Sequence, residues 1–323
     1  MTPEVLAKLA AIFLTIALGF IAGRKRWFDG VGGTEDAARV LSNVAFFLFV
    51  PALLFRTMAL ADLSQLPWRL LAAYLLPLAL FAAAVWALQG RAAAGIGPAA
   101  PSTRAIGASY GNAVQMGIPM AAALFGAEGL ALHLTVVSVH GLTLLTLLTA
   151  LVERDLARSR PSSGRAAVLR AAARNTIVHP VVLPVLAGLA WNLAGLPLPK
   201  PLDLTLQGLG AAVSPLCLVL IGLSLAAYGL QGFGGGALRT SLLKLLVLPA
   251  LVWAVAQGLF GLHGLPLQVL VMMAALPVGA NALLFAQRYS VLQAESTAAI
   301  VASTAAFVLS STLWLALLNR FAA

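Results

Sequence analysis

Two stretches of this chain carry amides where a helix is hard to sustain. ASYGNAVQMGIPMAAALFG (108–126) sets Asn112 and Gln115 among Gly111, Gly117 and Pro119, and AALPVGANALLFAQRYS (274–290) sets Asn281 just behind Pro277 and Gly279. Proline withdraws an N–H donor and glycine relaxes the backbone, so each stretch predicts a helix interrupted in mid-course, with backbone polar groups released from the helical ladder. The N–H groups that open each resumed half-helix carry partial positive charge and favour an anion, and a carboxamide beside them adds a directional donor. The chemistry on offer is recognition of a small anion. Ser303 with Thr304, and His140 with Ser138 and Thr143, are the other polar groups able to border such a site. A histidine there either donates to a carboxylate or makes a structural hydrogen bond, and hydroxyls on membrane helices more often bond to backbone.

Such stretches need a membrane around them. With 61% hydrophobic and only 9% charged residues, the chain falls far below the roughly one quarter of charged residues that a soluble domain carries. Lipid is therefore the solvent, and 323 residues hold about ten spans of about 20 residues each. Apolar runs fall at 5–23, 38–60, 67–90, 104–125, 129–152, 176–196, 205–228, 240–262, 267–288 and 297–319. The two amide-bearing stretches are the fourth and ninth of these. The expected class is an all-α polytopic membrane protein, its first run retained as a span, because Glu4 precedes it and Arg24, Lys25 and Arg26 follow.

Charge sets the orientation. A net charge of +10 would point to nucleic acid in a soluble protein, but here the basic residues sit in short loops between apolar runs, so no nucleic-acid partner is expected. With the N-terminus outside, all of the 20 lysines and arginines except Lys8, Arg56, Arg69, Lys200 and Arg320 fall on the cytoplasmic side. That predicts a bacterial inner-membrane protein with both termini periplasmic. The segment 154–175 reads as a cytoplasmic linker dividing 1–153 from 176–323. Lys244 is expected to snorkel to the cytoplasmic interface, Arg56 to do likewise outside, with some pull on anions, and His133 to be solvated or packed near the outer end.

The halves look related. Pro51 and Pro215, Pro77 and Pro249 (in LLAAYLLPLALF, 70–81, and LLKLLVLPALVW, 242–253), and Asn112 and Asn281 recur in the same order. Five spans per half is an odd number, so the second half enters the membrane inverted, a build in which interrupted helices meet at midplane. All ten acids map to loops or helix ends, leaving no carboxylate at midplane to bind sodium or relay protons. An anion leaving a negative interior gains about 2.3 kcal/mol per charge per 100 mV, which suffices to drive export. The alternative is a sodium- or proton-coupled organic-anion symporter of related build. No hydrolytic motif assembles, so no enzyme is expected; the lone Cys217 has no partner, and no metal or cofactor is expected.

GNAVQMGIPM (111–120), ALPVGANALLFAQRYS (275–290), FVPALLF (49–55) and RNTIVHPVVLPVLAGL (174–189) resemble segments of the auxin efflux carrier family, which includes the plant PIN carriers and bacterial dicarboxylate carriers. The resemblance implies a five-plus-five inverted repeat, a scaffold of spans 1, 2, 6 and 7, and a mobile transport domain of spans 3–5 and 8–10 that works as an elevator. It also implies a homodimer packed through the scaffold, a small organic anion such as a carboxylate as substrate, and a crossing built on Asn112, Gly117, Pro119, Pro277 and Asn281. His179 departs from the pattern, standing before Pro180 where several members have asparagine.

Overall fold

The computed structural model describes residues 3–28, 30, 32–60, 67–92, 95–113, 116–158, 174, 180, 182–228 and 233–321. Gln115, His179 and most of the expected linker lie outside the described residues. Within them the chain forms eleven helices and no strand beyond a single isolated bridge. These are α1 (Pro3–Arg24), α2 (Thr34–Ala59), α3 (Trp68–Ala92), α4 (Ala100–Ser109), α5 (Gly117–Arg158), α6 (Val182–Leu193), α7 (Lys200–Tyr228), α8 (Gly235–Gly258), α9 (Gly264–Ala275), α10 (Asn281–Arg288) and α11 (Gln293–Phe321).

Six stretches are long and apolar enough to cross a membrane: Thr34–Ala59, Trp68–Gln89, Met120–Leu156, Lys200–Ala227, Gly235–Gly258 and Gln293–Asn319. The chain is thus a polytopic membrane protein. The expected fourth and ninth spans fail on length because each is split, into α4 with the start of α5 and into α9 with α10. Helix α5 is itself two helices meeting at Gly126, whose φ of 64° and ψ of −160° suit glycine alone and turn the chain from the half-helix 117–125 into 127–158.

Burial is inverted relative to a soluble fold. Leu18, Leu80 and Leu309 are exposed, as a surface against lipid tails requires, whereas Ser303, Thr304, His133, His140 and Lys244 are buried. Two helices widen into a π turn just before a proline, at Ala45–Phe49 ahead of Pro51 and at Leu243–Val247 ahead of Pro249. Pro249 cannot donate to the Leu245 carbonyl one turn back, and the Trp314 indole N–H of α11 takes that carbonyl at 2.8 Å.

The helices sort into two packed groups. In one, α1 lies along α7, and α2 along α6 and α7. These approach closely on small residues: a β-carbon at Gly19 would meet the Val219 backbone, one at Gly222 the backbone of Ile16 and Phe20, and one at Gly188 the backbone of Phe55. In the other, α3 packs on α4 and α8, α9 on α5 and α8, and α11 on α8 and α9. This second group is cross-tied at both ends. Arg104 holds Glu295 through two bonds of 2.8 and 2.9 Å, while Arg104 and Arg239 share the Gln89 side-chain oxygen at 3.1 and 2.8 Å. At the opposite end Arg69 donates to the Phe260 carbonyl.

Candidate functional site

Helix α4 stops at Ser109 because Tyr110 turns extended (φ −84°, ψ 113°), and α9 stops at Ala275 because Leu276 does the same (φ −56°, ψ 148°). The two released segments cross antiparallel, with Gly111 opposite Val278. Asn112 N–H donates to the Pro277 carbonyl and Gly279 N–H to the Tyr110 carbonyl, both at 2.9 Å. Backbone groups freed by each break are thereby satisfied by the other break, which is the condition for irregular backbone at membrane depth. The approach depends on glycine: a β-carbon at Gly279 would lie 2.8 Å from the Gly111 carbonyl oxygen and 2.9 Å from the Tyr110 ring.

The helices resume at Gly117 and at Asn281. Gly117 N–H returns to the Asn112 carbonyl at 3.1 Å, and Pro119 follows in the first turn of α5, its side chain outside the described residues. The register of the crossing sets Asn112 opposite Pro277 and Tyr110 opposite Gly279, with Asn281 two residues beyond Gly279 at the start of α10. Asn112, Tyr110, Ala280 and Asn281 are half-buried and form its accessible face, while Gly111, Pro277, Val278 and Gly279 are buried. The Tyr110 side chain lies near the Asn281 carboxamide.

Three side chains support the crossing from neighbouring helices, and sequence reasoning misplaced one of them, Lys244. His133, expected to be solvated or packed, is 2% exposed with its Nε2 2.8 Å from the Ala113 carbonyl. Lys244, expected to snorkel, is 1% exposed, and its ammonium donates to the Ala274 carbonyl near the end of α9. The widened turn at Leu243–Val247 lies midway along α8, too deep for the side chain to reach an interface; counting residues from the helix ends would have shown it. Ser303 accepts from Val278 N–H at 3.0 Å and donates to the Ile300 carbonyl at 3.2 Å, so its hydroxyl is spent on the backbone.

His140 lies one layer behind. Its ring packs tilted at 4.9 Å from Tyr110 and 5.7 Å from Tyr74, and among the described residues neither ring nitrogen has a hydrogen-bond partner. Arg56, expected to snorkel at the outer end with some pull on anions, is paired with Asp203 at 2.6 Å and ties α2 to α7. No cluster of three metal-ligating side chains occurs among the described residues. The arrangement presents two amides and a tyrosine on the half-buried face of the crossing, with a buried lysine behind it.

A family model described as membrane transport protein matches residues 4–315. The uncharacterized transporter YfdV of Escherichia coli (strain K12) is 26% identical over 187 residues, which is 58% of this chain and 57% of that protein. The proteins of the same name from Escherichia coli O157:H7 and Shigella flexneri match to the same extent. The chain thus spans little more than half the length of these relatives.

Proposed function

The chain belongs to the membrane transport protein family, the family that its resemblance to the auxin efflux carriers anticipated, and from that premise we propose a secondary transporter that exports small organic anions such as carboxylates. It is a transporter and not an enzyme. The observation that carries the anion reading is the crossing itself, where Asn112 and Asn281 stand on the accessible face beside the N-termini of α5 and α10. Carboxamide donors and half-helix N-termini both favour a negatively charged group.

In this reading the transporter is a ten-span, five-plus-five inverted repeat. The group of α1, α2, α6 and α7 is the scaffold of a homodimer in the inner membrane, with both termini periplasmic, and the cross-tied group around the crossing moves as an elevator. Cysteine crosslinks between copies through α2 and α7, and a cytoplasmic reporter signal from 154–175, are its expected signatures. Three of the described acids stand in ion pairs away from the crossing, Asp36 with Arg39, Asp203 with Arg56 and Glu295 with Arg104. Export driven by membrane potential is accordingly favoured over coupling to sodium or protons through a carboxylate, the potential contributing about 2.3 kcal/mol per charge per 100 mV.

The test is Asn112→Ala and Asn281→Ala in proteoliposomes at a set potential, with a panel of labelled carboxylates. Each variant loses one hydrogen bond to a charged group, about 1.5 to 3 kcal/mol, so affinity should fall roughly ten- to a hundredfold while insertion and dimer yield stay near wild type. Wild-type affinity in both variants would make the amides packing residues and move the search to His140.

A further inference from the structure

Among the described residues Lys244 is the one lysine or arginine buried outright, and it is buried where the two interrupted helices meet. Its ammonium donates to the Ala274 carbonyl of α9 and lies against Gly111 of the other break, where a β-carbon would sit 3.3 Å from Nζ. No described carboxylate pairs with it, the ion pairs being Arg39–Asp36, Arg56–Asp203 and Arg104–Glu295. An ammonium has three hydrogens to donate, and among the described residues one carbonyl accepts from it, leaving two without an acceptor there. Taking a cation out of water costs several kcal/mol unless an opposite charge compensates, and a membrane makes this more severe. A neutral donor would cap the end of α9 equally well without that cost.

A second polar group in the same region is also unsatisfied. His140 is 1% exposed, stacks on Tyr110, the residue adjacent to Gly111, and has no partner at either ring nitrogen. A cation with one acceptor and an imidazole with none flank consecutive residues of the first break.

We propose that Lys244 is the resident counter-charge of the anion site: held behind Gly111, its ammonium neutralises one carboxylate group bound on the Asn112 and Asn281 face of the crossing. This rests on the reading of the crossing as an anion site and adds to it the group that selects for charge. Across one layer of backbone at a protein-like effective dielectric, such a charge contributes roughly ten- to a hundredfold in affinity for an anion over its neutral amide. When empty, the crossing carries a positive charge that the bound carboxylate cancels.

The experiment is thermal unfolding of the purified full chain in mild detergent, for wild type, Lys244→Met, Lys244→Gln and Lys244→Arg. It is run without added anion beyond constant chloride, and with sodium malonate or sodium benzoate titrated at fixed ionic strength. The carboxylates should raise the wild-type unfolding temperature, with a half-effect concentration that rises about ten- to a hundredfold in Lys244→Gln and Lys244→Met and changes little in Lys244→Arg. Glutamine retains a donor for the Ala274 carbonyl, so a lysine that merely caps α9 predicts a wild-type response in Lys244→Gln, and that result overturns the proposal. If neither probe shifts the wild type, the carboxylate-exporter reading fails for these probes, and Lys244 is judged without them. A Lys244→Met protein that melts above wild type in the carboxylate-free buffer then upholds an uncompensated charge, and one that melts at or below wild type overturns it.

Discussion

The two breaks face each other across one antiparallel pairing and are written in the same local code of glycine, proline and asparagine, yet different chemistry secures them. The first is held from α5, where His133 meets the Ala113 carbonyl. The second is held twice, by the Ser303 hydroxyl of α11 on Val278 N–H and by the Lys244 ammonium of α8 on the Ala274 carbonyl. Local sequence decides where a helix stops, but the group left over is satisfied by whichever side chain a neighbouring helix delivers. The consequence is an asymmetry: a buried lysine stands behind the crossing from the second half, and among the described residues no lysine or arginine of the first half is buried there.

The largest effect is expected from destroying the feature the two breaks share. Gly279→Val puts side-chain carbons against the Gly111 carbonyl oxygen and the Tyr110 ring, neither of which can withdraw without breaking the pairing. Overpacking of this kind costs about 3 kcal/mol. Unfolding in detergent should shift accordingly and transport should fall to background; a variant that melts and transports as wild type would show that the close pairing is not needed.

An intermediate effect separates the two breaks. His133→Ala strands a buried carbonyl and Ser303→Ala a buried N–H, each about 1 to 3 kcal/mol. Independently secured breaks give a double variant that is additive to within roughly 0.5 kcal/mol, whereas residues of one unit interact more strongly. A double-mutant cycle by denaturant titration in mixed micelles reads the difference, and a coupling above about 1 kcal/mol would make the crossing a single cooperative element.

The smallest expected change in stability is at His140. Because its ring nitrogens have no partner, His140→Phe removes no hydrogen bond and keeps the aromatic packing on Tyr74 and Tyr110, so stability should stay within about 1 kcal/mol. Transport assayed beside the melting curve sharpens the comparison. A large loss of flux at unchanged stability would place the imidazole in the binding site, and unchanged flux would leave it as packing.

The membrane class was legible in the sequence because a span is a property of about 20 consecutive side chains and needs no knowledge of neighbours. The breaks at Tyr110 and Leu276 were legible for a similar reason: glycine and proline weaken the backbone where they stand. How Asn112 and Asn281 stand relative to each other was not legible, since the pairing register that sets Asn112 opposite Pro277 is fixed only when both segments are docked. The reading of Lys244 as a snorkelling side chain failed, while His133 is packed, one of the two places expected for it, against a carbonyl that was not legible. Sequence gives a residue's place along its helix, but which way it points depends on the helix's rotation, altered at Lys244 by the widened turn before Pro249, and on the carbonyl waiting across the interface. What the sequence determined by itself was therefore the membrane, the two interruptions and the amides beside them. Tertiary structure alone decided which side chains complete the broken backbone and that one of them is a buried lysine, because satisfying a polar group in lipid requires a partner brought from another helix.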